Sequence, residues 1–254
     1  MTFVYPMTPT NLAGKILVVP IVSTANVAQL AADLLIATLS LKRIAILDPS
    51  YCIPVVGRRE DGLGGITTPL ELFSSPESEV VIIQQRSPVL VSRKQEFADS
   101  LLSFIQTSQF SSVLFMSGMD VAGRTDAQMM TPTYQIRLPQ FQLSLLGTSL
   151  HRLEELPIPL YRPQGSDTED QSIPFIPGGG LTRRILNSIP QGWAIPTGSL
   201  LQFVLEGDNA ADAAMLASAA VDTLELTIPN GQLKAPSSWK AGLFGSPHDQ
   251  SLYG

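Results

Sequence analysis

The chain has 254 residues, 44% of them hydrophobic and only 15% charged, enough apolar side chain to bury a substantial core in one large or two small domains. A net charge of -6, with 16 basic against 22 acidic residues, argues against holding a polyanion by bulk electrostatics, so nucleic acid is not the expected partner. The single cysteine, Cys52, excludes an internal disulfide and a thiolate metal cluster and fits a reducing compartment; the longest strongly apolar run is far shorter than a membrane span. The protein is therefore expected to stay where it is made, in the cytoplasm, with the nucleus as a second location.

The first periodic signal is Ile16 to Val22, a short β-rich run. Asn26 and Gln29 then offer a helix start, and Val27, Leu30, Ala31, Leu34 and Leu35 recur on one face of a 3.6-residue period that ends near Leu41. Arg43 to Leu47 reads as a second buried strand closed by Asp48-Pro49, which makes a βαβ unit. A glycine-bearing loop with Gly57, Gly62, Gly64 and Gly65 leads to a third core strand, Glu79 to Gln85. An amphipathic helix from about Arg93 to Thr107 and a strand from Ser112 to Met116 repeat the alternation. Four such alternations predict a largely parallel sheet covered by helices.

From Ser117 to Leu160 the periods weaken: Thr133 to Leu138 suits an edge strand and Gln140 to Leu156 a helix. The polar, acidic stretch 163–172 is expected to be a solvated loop. Next come the Pro177-Gly-Gly-Gly180 turn, a short helix from Leu181, a strand from Leu200 to Leu205 and an alanine-rich helix from Ala210 to about Leu226. Asn209 with Asp212 resembles a capping pair for that last helix. From Pro229 onward Gly, Pro and Ser break every period, so the expected division is one α/β domain over 1–228 and an extended tail over 229–254.

Candidate chemistry is sparse. The glycines Gly178 to Gly180 beside Arg183 and Arg184 could cradle a phosphate, the basis for an alternative reading as an α/β enzyme or nucleotide-binding protein. The pattern matches neither a P-loop nor a dinucleotide fingerprint, and consecutive glycines more often serve a tight turn or close packing. Glu206 and Asp208 lie just past a strand, where α/β proteins keep functional groups; the simpler reading makes Gly207 a turn and Asp208 or Asn209 a cap. Asp167, Glu169 and Asp170 lack the spacing of a calcium loop, and the two histidines, His151 and His248, have no partner that local sequence can name. Cys52 between Tyr51 and Ile53 reads as a small buried hydrophobe. No catalytic, cofactor or metal residue is therefore assigned. The chain ends in Leu252-Tyr253-Gly254, and an aliphatic residue, a tyrosine and a terminal carboxylate can be captured in pockets of a partner protein.

Four further stretches stand out. The first is Asn11 to Gly14 with Val22-Ser23, Asn26-Val27, Gln29 to Ala31, Asp33 to Leu35, Cys52 to Pro54 and Val56-Gly57; the second is Arg124, Asp126, Gln128 and Thr131-Pro132. The third is Ile176 to Gly180 with Phe203 to Asn209, and the fourth Pro236 to Trp239 with Leu243 to Ser246. Taken together, these stretches resemble the proteasome assembly chaperone 2 family. The resemblance implies a three-layer α/β/α sandwich with a largely parallel or mixed central sheet and an extended C-terminal tail. It further implies a non-catalytic chaperone, without cofactor, that pairs with proteasome assembly chaperone 1 and binds the α-ring of the immature 20S proteasome. Leu252, Tyr253 and Gly254 match a hydrophobic-Tyr-X motif by which members of this assembly system enter pockets between neighbouring α-subunits.

Overall fold

The computed structural model describes residues 2–60, 64–122, 124–138, 145–163 and 173–241. Among the described residues, ten strands and five helices follow one another. They are β1 (Val4–Pro6), β2 (Ile16–Pro20), α1 (Val27–Thr38), β3 (Lys42–Leu47), β4 (Gly57–Arg58), β5 (Ile66–Thr67), β6 (Leu70–Ser74) and β7 (Val80–Gln85). After these come α2 (Lys94–Thr107), β8 (Ser112–Asp120), β9 (Thr133–Arg137), α3 (Arg152–Glu155), α4 (Gly180–Asn187), β10 (Thr197–Val204) and α5 (Ala210–Leu224). Eight strands form one mixed sheet in the order β1-β3-β6-β7-β2-β8-β10-β9, and β4 pairs with β5 in a separate hairpin.

The sheet's centre is parallel because its strands can be buried on both faces. β7, β2, β8 and β10 run side by side in parallel, and every residue of β2 is buried. Alternate residues divide between two cores: Ile16 and Val18 face the layer of α1 and α5, whereas Leu17, Val19 and Ile21 face the layer of α2 and α4. The arrangement is the expected three-layer α/β/α sandwich.

The edges depart from the expected parallel order. β3 is not beside β2: β6 and β7 lie between them, and the β1–β3, β3–β6, β6–β7 and β9–β10 pairs are all antiparallel. The added strand β6 stands where a loop is expected, because its Glu71 is 1% exposed yet ion-paired to Arg43 and Arg86. Arg86 also reaches Asp33 on α1, at 3.4 Å, and Gln84 Nε2 donates to the same carboxylate at 2.6 Å. Burial drives the Asp33 carboxyl above its ordinary range against the opposing pull of Arg86 and Gln84. A charge cluster thus lies beneath α1 where an all-parallel sheet would place aliphatic side chains.

β9 is an edge strand, as its sequence suggests. The helix expected over Gln140 to Leu156 is corrected among its described residues: 145–151 form turns and only Arg152–Glu155 is helical. Gly147 holds φ at +78°, outside the helical region, and Leu145 and Leu150 from the turns and Leu153 from the short helix are buried against the α1/α5 layer. Residues 229–241 form two short 3-10 turns, and Leu233 and Trp239 pack against the α1/α5 layer. The acidic stretch from Gln164 to Ser172 lies outside the described residues, as does the terminal Leu252-Tyr253-Gly254.

Candidate functional site: the carboxyl end of the parallel strands

Residues far apart in sequence meet at the carboxyl ends of β2, β8 and β10. The Ser23 hydroxyl donates to the Ile21 carbonyl at 2.9 Å and accepts the Gly118 N–H at 2.7 Å, tying the β2 loop to β8. Asp120 N donates to the Pro177 carbonyl at 3.0 Å, which brings the triglycine turn to the same place. Glu206, just past β10, accepts the N–H of Ala25 at 3.0 Å. Ala25 and Asn26 both adopt left-handed backbone, with φ of 58° and 54°. Two successive non-glycine residues in that region are unfavourable, and the surrounding bonds hold them there.

The triglycine turn is packed rather than open. Gly178 has φ of +73°, and a Cβ there would collide with Thr24 Oγ1, while one at Gly179 would strike Ile176. Thr182 of α4 donates to Ser117 at 2.9 Å beneath the turn. Arg183 Nε donates to the Ile173 carbonyl and Arg184 to Gln95 Oε1 of α2, so both arginines engage neighbouring elements. Gly178 and Gly179 serve close packing, whereas a Cβ on Gly180 would meet open space.

The stretch from Arg124 to Pro132 builds the adjoining loop. Thr125 and Gln128 exchange capping bonds, and Arg124 donates to the carbonyls of Gln128 and Thr131 at 2.8 Å each. Its guanidinium lies 5.0 Å from the centroid of Phe203, whose ring packs edge-on with Tyr134 and Tyr161. Burial raises the Tyr134 phenol above its ordinary range, with Arg124 pulling the other way, and its hydroxyl donates to the Gln128 carbonyl.

On this frame the loops carry large apolar side chains into solvent. Val55 and Val56 follow β3, Val91 follows β7, Met129 and Met130 follow β8, Phe175 leads into the triglycine turn and Leu205 follows β10. Val91 is 84% exposed and Met130 88%. Such apolar exposure at one end of a sheet is the mark of a surface that meets other proteins. Sequence reading passed over these residues because each is a lone apolar residue in a loop; only the topology aligns them along one end.

The remaining candidates are placed as follows. Cys52 is buried, and burial together with Asp48 pushes its thiol up to about 12. Asn209 stands at the N-cap of α5 but makes no side-chain capping bond, its Nδ2 donating to the Gly207 carbonyl; Asp208 Oδ1 instead accepts the Ala210 N–H, so the expected Asn209–Asp212 capping pair does not form. Gln29 bonds the side chain of Asn26 at 2.9 Å rather than a free backbone group of α1. His151 hydrogen-bonds the Thr148 carbonyl through Nδ1.

A layered α/β/α frame whose strand-end polar groups brace loops bearing exposed apolar side chains belongs with protein-binding folds. The model of the PAC2 family matches residues 17–229. Proteasome assembly chaperone 2 of Xenopus laevis is 32% identical over 91% of this chain and 91% of that protein, and its Homo sapiens counterpart is 31% identical over 96% of each. The chain belongs to the PAC2 family, that of proteasome assembly chaperone 2. Two solved structures share its fold at 18% identity. Pyrococcus furiosus PbaA, an archaeal homolog of proteasome-assembly chaperone, has a TM-score of 0.61 over 90% of this chain and 88% of its own. PbaB from the same organism, an archaeal proteasome activator, has a TM-score of 0.62 over 90% and 92%.

Proposed function

We propose that the chain is a proteasome assembly chaperone that pairs with proteasome assembly chaperone 1 and sits on the α-ring of the immature 20S proteasome, promoting correct ring assembly without catalysing a reaction. The observation that carries this reading is the row of exposed apolar side chains at the strand carboxyl ends, from Val55 to Leu205. The polar groups beside them, Ser23 and Glu206, are spent on holding loops, which suits a rigid binding surface. The curated relatives named proteasome assembly chaperone 2 support the same class of role.

In this reading the apolar row takes the partner chaperone, and Leu252, Tyr253 and the Gly254 carboxylate enter a pocket between neighbouring α-subunits. The segment leading toward the tail lies on the α1 side of the sheet rather than on that apolar end, so one chain can engage both partners. The pair works in the cytoplasm, with the nucleus as a second location. The test mixes the purified chain with chaperone 1 and proteasome precursors, with and without residues 252–254. Weaker ring binding by the truncated pair is expected; undiminished binding removes the docking role of the three terminal residues.

A further inference from the structure

The segment before the tail is held to the body at named points. Lys234 N donates to Thr38 Oγ1 at the end of α1, at 2.8 Å. Three residues on, the Ser237 hydroxyl donates to Glu60 Oε2 at 2.7 Å, and Ser238 N donates to Glu60 Oε1 at 3.1 Å. Trp239 packs part-buried against the α1/α5 layer. Glu60 lies in the connection between β4 and β5, so the anchor is supplied by an element remote in sequence. Partial burial works to raise the Glu60 carboxyl, yet the bonds from Ser238 and Ser237 outweigh it and hold the group below its ordinary range. The carboxylate, the form that accepts both bonds, is thus the favoured form.

We infer that Glu60 is a positioning residue that pins the root of the C-terminal tail to the body of the protein and so sets how far the terminal carboxylate can reach. The inference rests on the tail-docking reading above. Counted from Ser238, the last residue bonded to Glu60, the chain from Trp239 to Gly254 has 16 residues, a contour of at most about 58 Å at 3.6 Å per residue. Without the Glu60 bonds the next anchor back is the Lys234–Thr38 bond, which lengthens the span to the 20 residues from Ala235 to Gly254. Effective concentration at a second site falls roughly as the -3/2 power of tether length once the span suffices, so releasing the root should weaken tail-dependent binding about 1.4-fold. Loss of the Thr38 bond as well extends the span to the 26 residues from Pro229 to Gly254 and brings the loss to about twofold.

The experiment compares full-length Glu60→Ala, Glu60→Gln and Glu60→Ala/Thr38→Ala chains, each paired with chaperone 1. Iodide quenching of tryptophan fluorescence reads the root directly, because Trp193 is only 5% exposed and the response comes from Trp239. Increased quenching in Glu60→Ala, a smaller increase in Glu60→Gln, and a loss of α-ring affinity of about 1.4-fold for Glu60→Ala rising to about twofold for Glu60→Ala/Thr38→Ala are expected. Unchanged quenching and unchanged hydrogen exchange over 234–241 in Glu60→Ala overturn the pinning. A freed Trp239 with full ring affinity overturns the role in reach. The chain lacking 252–254 separates the two readings: if its ring affinity is undiminished, tail docking fails and the reach role with it, while quenching still decides whether Glu60 pins the root.

Discussion

The Glu206 carboxylate accepts the backbone N–H of Ala25 across 181 positions of sequence, joining the end of β10 to the strained turn that opens α1. The bond runs across the end of β8, which stands between β2 and β10, and so braces three parallel strands at the end where the apolar loops emerge. Glu206→Ala should lower unfolding stability by about 1 kcal/mol, the net worth of a typical intramolecular hydrogen bond, because solvent screens the exposed carboxylate. Glu206→Gln, which keeps an acceptor oxygen, should recover most of it. Urea unfolding midpoints at constant slope measure both.

Ala25 carries left-handed backbone without being glycine, at a cost of about 1–2 kcal/mol. Ala25→Gly removes that cost while forfeiting a buried methyl and adding chain entropy, so its net effect should fall within about 0.5 kcal/mol of zero. Ala31→Gly, one turn inside α1 and fully buried, should instead cost about 1 kcal/mol or more. Equal losses at the two positions would contradict the account of strain.

Glu71 is buried between Arg43 and Arg86, and removing one member of such a cluster leaves uncompensated charge in the interior. Glu71→Ala is expected to destabilise by about 3–5 kcal/mol, and Arg43→Met by a comparable amount. Guanidinium and thermal unfolding give the values; losses under 1 kcal/mol would show that the cluster is solvated in solution.

The Cys52 thiol, raised by burial from an ordinary 9.0 to about 12, should resist alkylation in the native protein at pH 8 and react fully in denaturant. The sign for stability follows from the same shift. The unfolded chain loses its thiol proton first, so the contribution is whole below pH 9.0 and is lost as pH rises toward 12. Cys52→Ala should flatten that part of the pH profile.

Charge placed on the apolar row tests its role in pairing. Val91→Glu and Met130→Glu alter exposed positions and should leave stability within about 0.5 kcal/mol. Pairing with chaperone 1 should weaken at least about tenfold if these side chains lie in the interface core. Isothermal titration of the two chaperones measures it.

The central strands were legible because burial on both faces writes them as continuous apolar runs: β2, β7, β8 and β10 lie close to their expected positions. β6 was not, since Glu71 within it is tolerated only through Arg43 on β3 and Arg86 just past the end of β7, and a linear pattern holds no sign of such partners. The same holds for the site. Ser23, Gly178 and Glu206 are each visible just past a strand or in a turn, but their meeting depends on β2, β8 and β10 being neighbours, which local periodicity does not encode. The helix expected at Gln140 to Leu156 failed on Gly147, whose left-handed backbone breaks the period, leaving Leu146 exposed while Leu145 and Leu150 are buried from the turns on either side.

The most direct test of the central claim is native mass spectrometry of the full chain mixed with chaperone 1 and proteasome α-subunits. The account predicts a complex containing one copy of each chaperone on an α-ring, absent when chaperone 1 is omitted or when Val91 and Met130 are both changed to Glu. A full-length chain that, with chaperone 1 present, forms no complex with any α-subunit would contradict it.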